Sequence, residues 1–168
     1  MTRAQVDEYL ATYQECVGRM GSLELTIRRQ RKELEERKMN LAADAALETP
    51  EREEGMPHGS GVGNPVERIV LKYADGFLPA EIIEEEKQLK ALEEELKYRK
   101  EVVLYVDAWL KGLNEREAWI INHKVIDMDY SWREVITMYR LQYGEEYSRD
   151  ALKRIKERAM EKIYRFAE

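Results

Sequence analysis

The sequence predicts an all-α fold in which long, coiled-coil-like helices precede a C-terminal helix-turn-helix. Apolar residues recur at intervals of three, four and seven positions, which is the spacing of an amphipathic helix. Charged residues make up 37% of the 168 residues and aromatic residues 9%, a composition typical of solvated helices. Glycine and proline cluster around residues 47–64, and such a cluster predicts a linker between helical regions.

The composition argues against several classes of function. A single cysteine excludes a disulfide framework and any zinc site built on cysteine. With His58 and His123 as the two histidines, we expect no metal and no other cofactor. No nucleophile is paired with a base and an orienting group, so we expect no enzymatic activity. There is no apolar run of roughly 18 residues and no signal-peptide pattern, which predicts a cytoplasmic protein without a membrane partner.

The first helix is predicted from Arg3 to about Ala46, because its apolar residues form a heptad seam. Cys16 is expected beside this seam as a small apolar residue. A basic cluster at 28–32 either contacts phosphates or pairs with the glutamates at 33–36, and pairing is the interpretation we favour. The seam consists of Val6, Leu10, Tyr13, Val17, Met20, Ile27, Leu34 and Leu41.

The segment that follows is predicted to be a flexible linker over about 47–64. Its glycines are not preceded by a strand, so the segment does not fit a phosphate-binding loop. Pro65 then begins a short helix, at the first helical position where proline is favoured. The apolar residues of that helix are Val66, Ile69, Val70 and Tyr73.

A second long helix is predicted from Pro79 to Lys111, with Gly112 as its C-terminal cap. Its length, roughly 50 Å, is too great for burial within a small domain. We therefore expect residues 1–112 to be an arm that forms a homo-oligomer through the Val6–Leu41 and Ile82–Leu110 helices. The alternative is an antiparallel hairpin within one chain. The seam consists of Ile82, Leu89, Leu96, Val103 and Leu110, with companions Leu92, Val106 and Leu113.

Residues 113–168 are predicted to form the helix-turn-helix domain from three capped helices. Ser148, after a break at Gly144, caps the third helix. Apolar residues at helical spacing, together with the small Ala159, predict one compact core. Capping boxes are expected for the first two helices, at Asn114 with Glu117 and at Ser131 with Glu134.

The third helix of this domain is basic, although the protein is acidic. Between Arg149 and Arg165 there are seven basic and three acidic residues, a net +4, whereas the whole chain carries −6 and the remainder therefore −10. Basic side chains on such a helix can neutralise phosphates while its N-terminal side chains reach base edges in the major groove. Double-stranded DNA is therefore the expected partner. The alternative is a solvated face in which the basic residues pair with Asp150, Glu157 and Glu161.

Individual roles follow from position along this helix. Contacts within the DNA groove are expected from its first turns, that is from Ser148, Arg149, Asp150, Lys153 and Arg154. Contacts to phosphates are expected from Lys156, Arg158 and Lys162. Arg133, just inside the second helix, is a candidate phosphate anchor.

The C-terminal residues also resemble a known family, the fourth region of bacterial sigma factors, which contacts the upstream promoter element. The matching segments are LNERE at 113–117, YSWREVI at 130–136 and YSRDALKRIKERAM at 147–160. The resemblance implies a helix-turn-helix that binds DNA. Two departures affect the turn and the second helix: LQYGEEY is longer than the family's turn, and Thr137 and Met138 replace a small residue.

A second resemblance extends over nearly the whole chain. A long helix, the GMP break at 55–57, the NPVERIV segment at 64–70, a charged helix from Pro79 and a sigma-like module follow one another. This order is similar to the ArpU/RinA-type late transcriptional regulators of phages that infect Gram-positive bacteria. It implies an activator of phage or prophage packaging, structural or lysis genes in the bacterial host cell. Two alternatives are a small-terminase-like DNA-packaging protein and a protein-interaction adaptor that contacts host RNA polymerase.

Overall fold

The computed structural model describes residues 1–47 and 79–168, and every regular element among them is helical, which confirms the all-α class. The predicted linker and the short helix from Pro65 lie outside these residues, apart from Leu47. None of the described helices is long and apolar enough to cross a membrane. The elements are α1 (Arg3–Leu47), α2 (Ala80–Lys111), α3 (Glu115–Ile121), a π-helical turn (Asn122–Ile126), α4 (Trp132–Tyr143) and α5 (Arg149–Phe166).

The chain divides into two compact units, and both long helices contribute to each unit. The first unit contains Met1–Ser22 and Leu96–Glu168, and the second contains Leu23–Glu95. This division differs from the expected boundary between residues 112 and 113. The reason is that the C-terminal helices do not bury their apolar faces alone, since the first turns of α1 and the last turns of α2 pack against them.

The core of the first unit joins α1, α2, α3, the π-helical turn and α5. Val6 and Leu10 of α1 belong to the same buried cluster as Val106 and Trp109 of α2 and Ile163 of α5. Each of these side chains is at most 3% exposed. Burial of this apolar surface is the main force that holds α5 against the long helices.

The predicted seam of α1 is largely buried, with one correction. Val17 is 46% exposed, whereas Cys16 is 1% exposed and Leu23 is 7% exposed. The buried stripe therefore passes through residue 16 instead of the predicted residue 17 and continues through residue 23. Cys16 lies within the seam as a small apolar residue. Residues 16 and 17 lie about 100° apart around the helix, on the two sides of the apolar stripe, so the position of the partner helix decides which of them is covered.

In both units the two long helices pack against each other within one chain. In the first unit the Tyr13 hydroxyl donates a hydrogen bond to Asp107 at 2.7 Å. In the second unit Arg31 pairs with Glu93 and Arg37 with Glu85. Sequence order runs in opposite directions along the two helices in these pairs, so the pairing is the antiparallel, intramolecular alternative. Formation of a homo-oligomer stays a prediction.

The predicted capping signals are present in the C-terminal helices. Both capping boxes form, at Asn114 with Glu117 and at Ser131 with Glu134. Gly112 ends α2 as predicted, but its φ is not positive, so it does not supply a left-handed cap. A Cβ atom at residue 112 would lie 2.6 Å from Cε2 of Phe166. Glycine at this position allows the C-terminal end of α5 to approach closely.

Candidate nucleic-acid interface

The face of α5 that packs inward is set by three residues at intervals of seven and four. Leu152, Ala159 and Ile163 are each 0% exposed. Leu152 packs with Ile120 of α3 and Val135 of α4, which holds the N-terminal half of α5 against both short helices. The opposite face of α5 is therefore available to a partner.

The connection between α4 and α5 is five residues long, from Gly144 to Ser148. Gly144 has φ +69° and its N–H donates to the Arg140 carbonyl, which is the left-handed geometry that glycine adopts at a helix C-terminus. At the other end the Ser148 hydroxyl accepts a hydrogen bond from the Ala151 N–H at 3.2 Å. Ser148, expected to contact DNA, therefore has an established role as the N-cap of α5.

Aromatic packing joins α3 to α4. The rings of Trp119 and Tyr139 make an edge contact with centroids 5.4 Å apart, and Trp119 also stacks on His123 at 3.9 Å. Tyr139 is 0% exposed, and its hydroxyl has no hydrogen-bond partner among the described residues. Because α5 packs on both short helices, these rings help to set the angle at which α5 is presented.

Most of the basic side chains of α5 form no ion pair with another residue that the structure describes. None of the seven pairs with Asp150, Glu157 or Glu161 within the described part of the chain, so the intrahelical alternative is not what the structure shows. Glu161 instead pairs with Arg3 of α1 at 3.3 Å. The six basic residues without an ion pair among the described residues are Arg149, Lys153, Arg154, Lys156, Arg158 and Arg165.

The charges of α5 are arranged in three strips. At about 100° per residue, the acidic strip of Asp150, Glu157 and Glu161 lies opposite the buried face. A first basic strip on one side consists of Arg154, Arg158 and Arg165, which are exposed. A second basic strip on the other side consists of Arg149, which is exposed, and Lys153 and Lys156, which are half-buried. The predicted DNA-contacting residues therefore do not form one continuous basic face.

Lys162, which was predicted to contact a phosphate, instead forms an ion pair with Glu117. Its Nζ donates to both carboxylate oxygens of Glu117 at 2.8 Å, and Glu117 is only 7% exposed. The same carboxylate accepts the backbone N–H of Asn114 at 3.2 Å. The charge of Lys162 thus compensates a buried carboxylate, which joins the start of α3 to α5. Sequence reasoning missed this because the two residues are 45 positions apart.

Arg133 lies apart from the α5 strips, as the second residue of α4. Its side chain is exposed and forms no ion pair among the residues that the structure describes. The next residue, Glu134, accepts the Ser131 N–H, and hydrogen bonds from Ser131 hold the pKa of this carboxyl below its usual value. Arg133 thus lies in the first turn of α4, where the helix dipole also favours a bound anion.

Between α3 and α5 there is a surface groove that the sequence did not predict. Its volume is about 370 Å³. On its rim, Arg116 pairs with Glu145 at 2.7 Å and donates to the Tyr147 hydroxyl at 3.2 Å. The hydrogen bond from Arg116 holds the pKa of Glu145 below its usual value. The groove is lined by Asn114, Arg116, Glu117, Tyr147, Ala151, Arg154, Ile155 and Arg158.

No pattern in the sequence indicates that the residues on the two sides of this groove lie close together. Arg116 and Glu145 are 29 positions apart, and Arg116 belongs to the LNERE segment for which no binding role was expected. The lining residues of α5 were predicted individually as DNA contacts, but the groove exists only because α3 crosses their helix. No family model, curated protein or solved structure matches this chain.

Proposed function

We propose that this chain is a sequence-specific DNA-binding transcriptional regulator, an activator of phage or prophage late genes. The observation that carries the proposal is the set of six basic side chains on α5 that form no ion pair with any residue the structure describes. This helix follows α4 through a short capped turn. Clustered positive charges repel one another, and a polyanion relieves that repulsion while releasing its own counterions. Double-stranded DNA is a partner of this kind.

The three-strip arrangement favours a helix that lies in the major groove. The groove is about 12 Å wide and admits one helix. A helix in this position directs its outward strip at base edges and its two flanks at the phosphates of the two strands. The two basic strips would then contact phosphates, while Asp150 or Glu157 accepts a hydrogen bond from cytosine N4. Because a carboxylate repels phosphate, the acidic strip also weakens binding at sites without a suitable base.

The proposed role in late-gene activation is supported by different observations from those that support DNA binding. It rests on the resemblance of the whole chain to ArpU/RinA-type regulators, and contact with host RNA polymerase rests on the likeness to sigma factors. The DNA proposal stands on the charges of α5 without it.

A DNA titration tests the proposal. The purified chain is titrated with duplexes from upstream of its own gene and with random duplex, at two salt concentrations. We expect selective binding whose logarithmic salt slope falls by about 2 in the Lys153→Ala, Arg154→Ala variant, because each phosphate contact contributes about 0.9. A matched variant, Lys90→Ala with Lys97→Ala, removes the same charge from exposed positions of α2.

Three outcomes would count against parts of this proposal. Binding no tighter than to random duplex would leave no sequence-specific regulator and would favour the adaptor function. Retained binding in the α5 variant would remove this face from the interface. An equal loss in the α2 variant would mean that net charge alone, rather than the α5 surface, governs binding.

A further inference from the structure

We propose that the groove between α3 and α5 is a phosphate-binding site formed by Arg116, Arg154 and Arg158. If the phosphate belongs to DNA, the inference rests on the proposed function and adds α3 to the interface. If the phosphate belongs to a free phosphorylated ligand, the inference stands without it. The chemistry of the groove is the same in both cases, and the experiment below distinguishes them.

The charge balance of the groove favours an anion. The Glu117 carboxylate at its floor is compensated by Lys162 at 2.8 Å, and Arg116 on the rim is compensated by Glu145. Arg154 and Arg158 form no ion pair among the described residues and retain two positive charges. Guanidinium groups present planar pairs of donors that match phosphate oxygens. The groove therefore offers a net charge of about +2 to a group with several acceptors.

Two tyrosines beside the arginines also favour the binding of a phosphate. The Tyr147 hydroxyl lines the groove and accepts a hydrogen bond from Arg116 at 3.2 Å. Arg116 is also positioned over the Tyr143 ring, 5.4 Å from its centroid. Contacts on two sides hold the guanidinium in place, which lowers the entropy that a phosphate contact would otherwise cost.

The N-terminal cap of α5 differs from the caps of α3 and α4, and this difference also favours an anion site. In α3 and α4 the third helical residue is a glutamate, Glu117 or Glu134, which completes a capping box. In α5 the equivalent residue is Ala151, and the Ser148 cap has no such partner. Ala151 lines the groove together with Arg154 and Arg158. A glutamate here would strengthen the cap, but it would place a carboxylate where an anion is expected to bind.

Two substitutions at residue 151 distinguish an effect on binding from an effect on folding. Ala151→Glu completes the capping box and adds a negative charge, whereas Ala151→Gln has nearly the same size, can also complete the box and is neutral. Because neither variant is expected to destabilise α5, a loss of binding is not explained by unfolding. Thermal denaturation of both variants checks this point.

The full-length variants are titrated with inorganic pyrophosphate, followed by the NMR amide shifts of residues 151, 154 and 158, and with the upstream duplex. We expect Ala151→Glu to bind about tenfold or more weakly than Ala151→Gln, the size of effect expected when charged hydrogen bonds are lost. Arg158→Ala should weaken binding to the same probe, and on DNA it should reduce the salt slope by about 1.

The probes identify the source of the phosphate. A difference between the two variants on duplex shows that the groove binds a DNA phosphate. A difference on pyrophosphate alone shows a site for a free phosphorylated ligand. If the unsubstituted chain binds no duplex, the proposed function fails and pyrophosphate alone decides this inference. Equal affinities of the Glu and Gln variants for every probe that the unsubstituted chain binds, or no binding of either probe by that chain, would overturn the inference.

Discussion

The burial of Glu117 in its ion pair with Lys162 predicts unequal losses of stability when one or the other partner is substituted. The Glu117 side chain is 9% exposed and the Lys162 side chain is 45% exposed. Lys162→Met leaves a carboxylate in a poorly hydrated position, with the Asn114 N–H as its remaining donor among the contacts that the structure describes. Glu117→Gln leaves an ammonium group that water can reach. The lysine substitution should therefore destabilise the protein more than the glutamate substitution.

The magnitudes follow from burial. Removing one partner of a fully buried pair costs about 3–5 kcal/mol. Since Glu117 retains one donor and some exposure, we expect the free energy of unfolding to fall by about 2–4 kcal/mol in Lys162→Met. In Glu117→Gln the amide oxygen can still accept the Asn114 N–H, so a loss of about 1–2 kcal/mol is expected, the range for hydrogen bonds to a charged group.

The assay is urea denaturation followed by tryptophan fluorescence. The three tryptophans, Trp109, Trp119 and Trp132, belong to the first unit, so the signal reports the unit that contains the ion pair. The double variant should lose about 1–2 kcal/mol less than the sum of the single losses. If Glu117→Gln is the more damaging change, or if the two losses are simply additive, the proposed compensation of a buried carboxylate is wrong.

Two further predictions concern tyrosines. The hydroxyl of Tyr139 is buried and lacks a hydrogen-bond partner among the described residues, so Tyr139→Phe should raise the free energy of unfolding by about 1 kcal/mol; a lower value in urea denaturation would show that the hydroxyl is satisfied. Burial and a hydrogen bond to Asp7 raise the pKa of Tyr164 from 10.0 to about 12. Because the folded state favours the protonated phenol, this stabilisation is complete below about pH 10 and is lost as the pH rises toward 12. Denaturation at several alkaline pH values should show a shallower decline in Tyr164→Phe, and identical declines would contradict the assignment.

Much of the helical architecture could be read from the sequence. The predicted first helix, Arg3 to about Ala46, corresponds to Arg3–Leu47, and the predicted second long helix, from Pro79, corresponds to Ala80–Lys111. The two capping boxes and the Ser148 cap form at the predicted residues. These features depend on residues three or four positions apart, whose side chains meet in any α-helix. Local sequence is therefore sufficient to place them.

Which of two adjacent residues in a seam is buried was harder to predict from the sequence. Val17 is more apolar than Cys16, yet Cys16 is the buried residue. Both positions lie near the edge of the same helical stripe, and the side on which α2 packs decides between them. The same argument applies to Gly112, which looks like a helix cap in sequence but also leaves room for the Phe166 ring that packs beside it.

The sequence by itself determined the bounds of the two long helices, the N-terminal caps of the three C-terminal helices and the excess of positive charge on α5. Only the tertiary structure decided which of those charges have an ion-pair partner among the described residues. Lys162 is committed to Glu117, whereas Arg154 and Arg158 line a groove with Arg116. Helix formation depends on contacts within one turn, but the partner of a charged side chain depends on which distant segment is packed beside it. That information becomes available only when the helices are assembled around their shared apolar core.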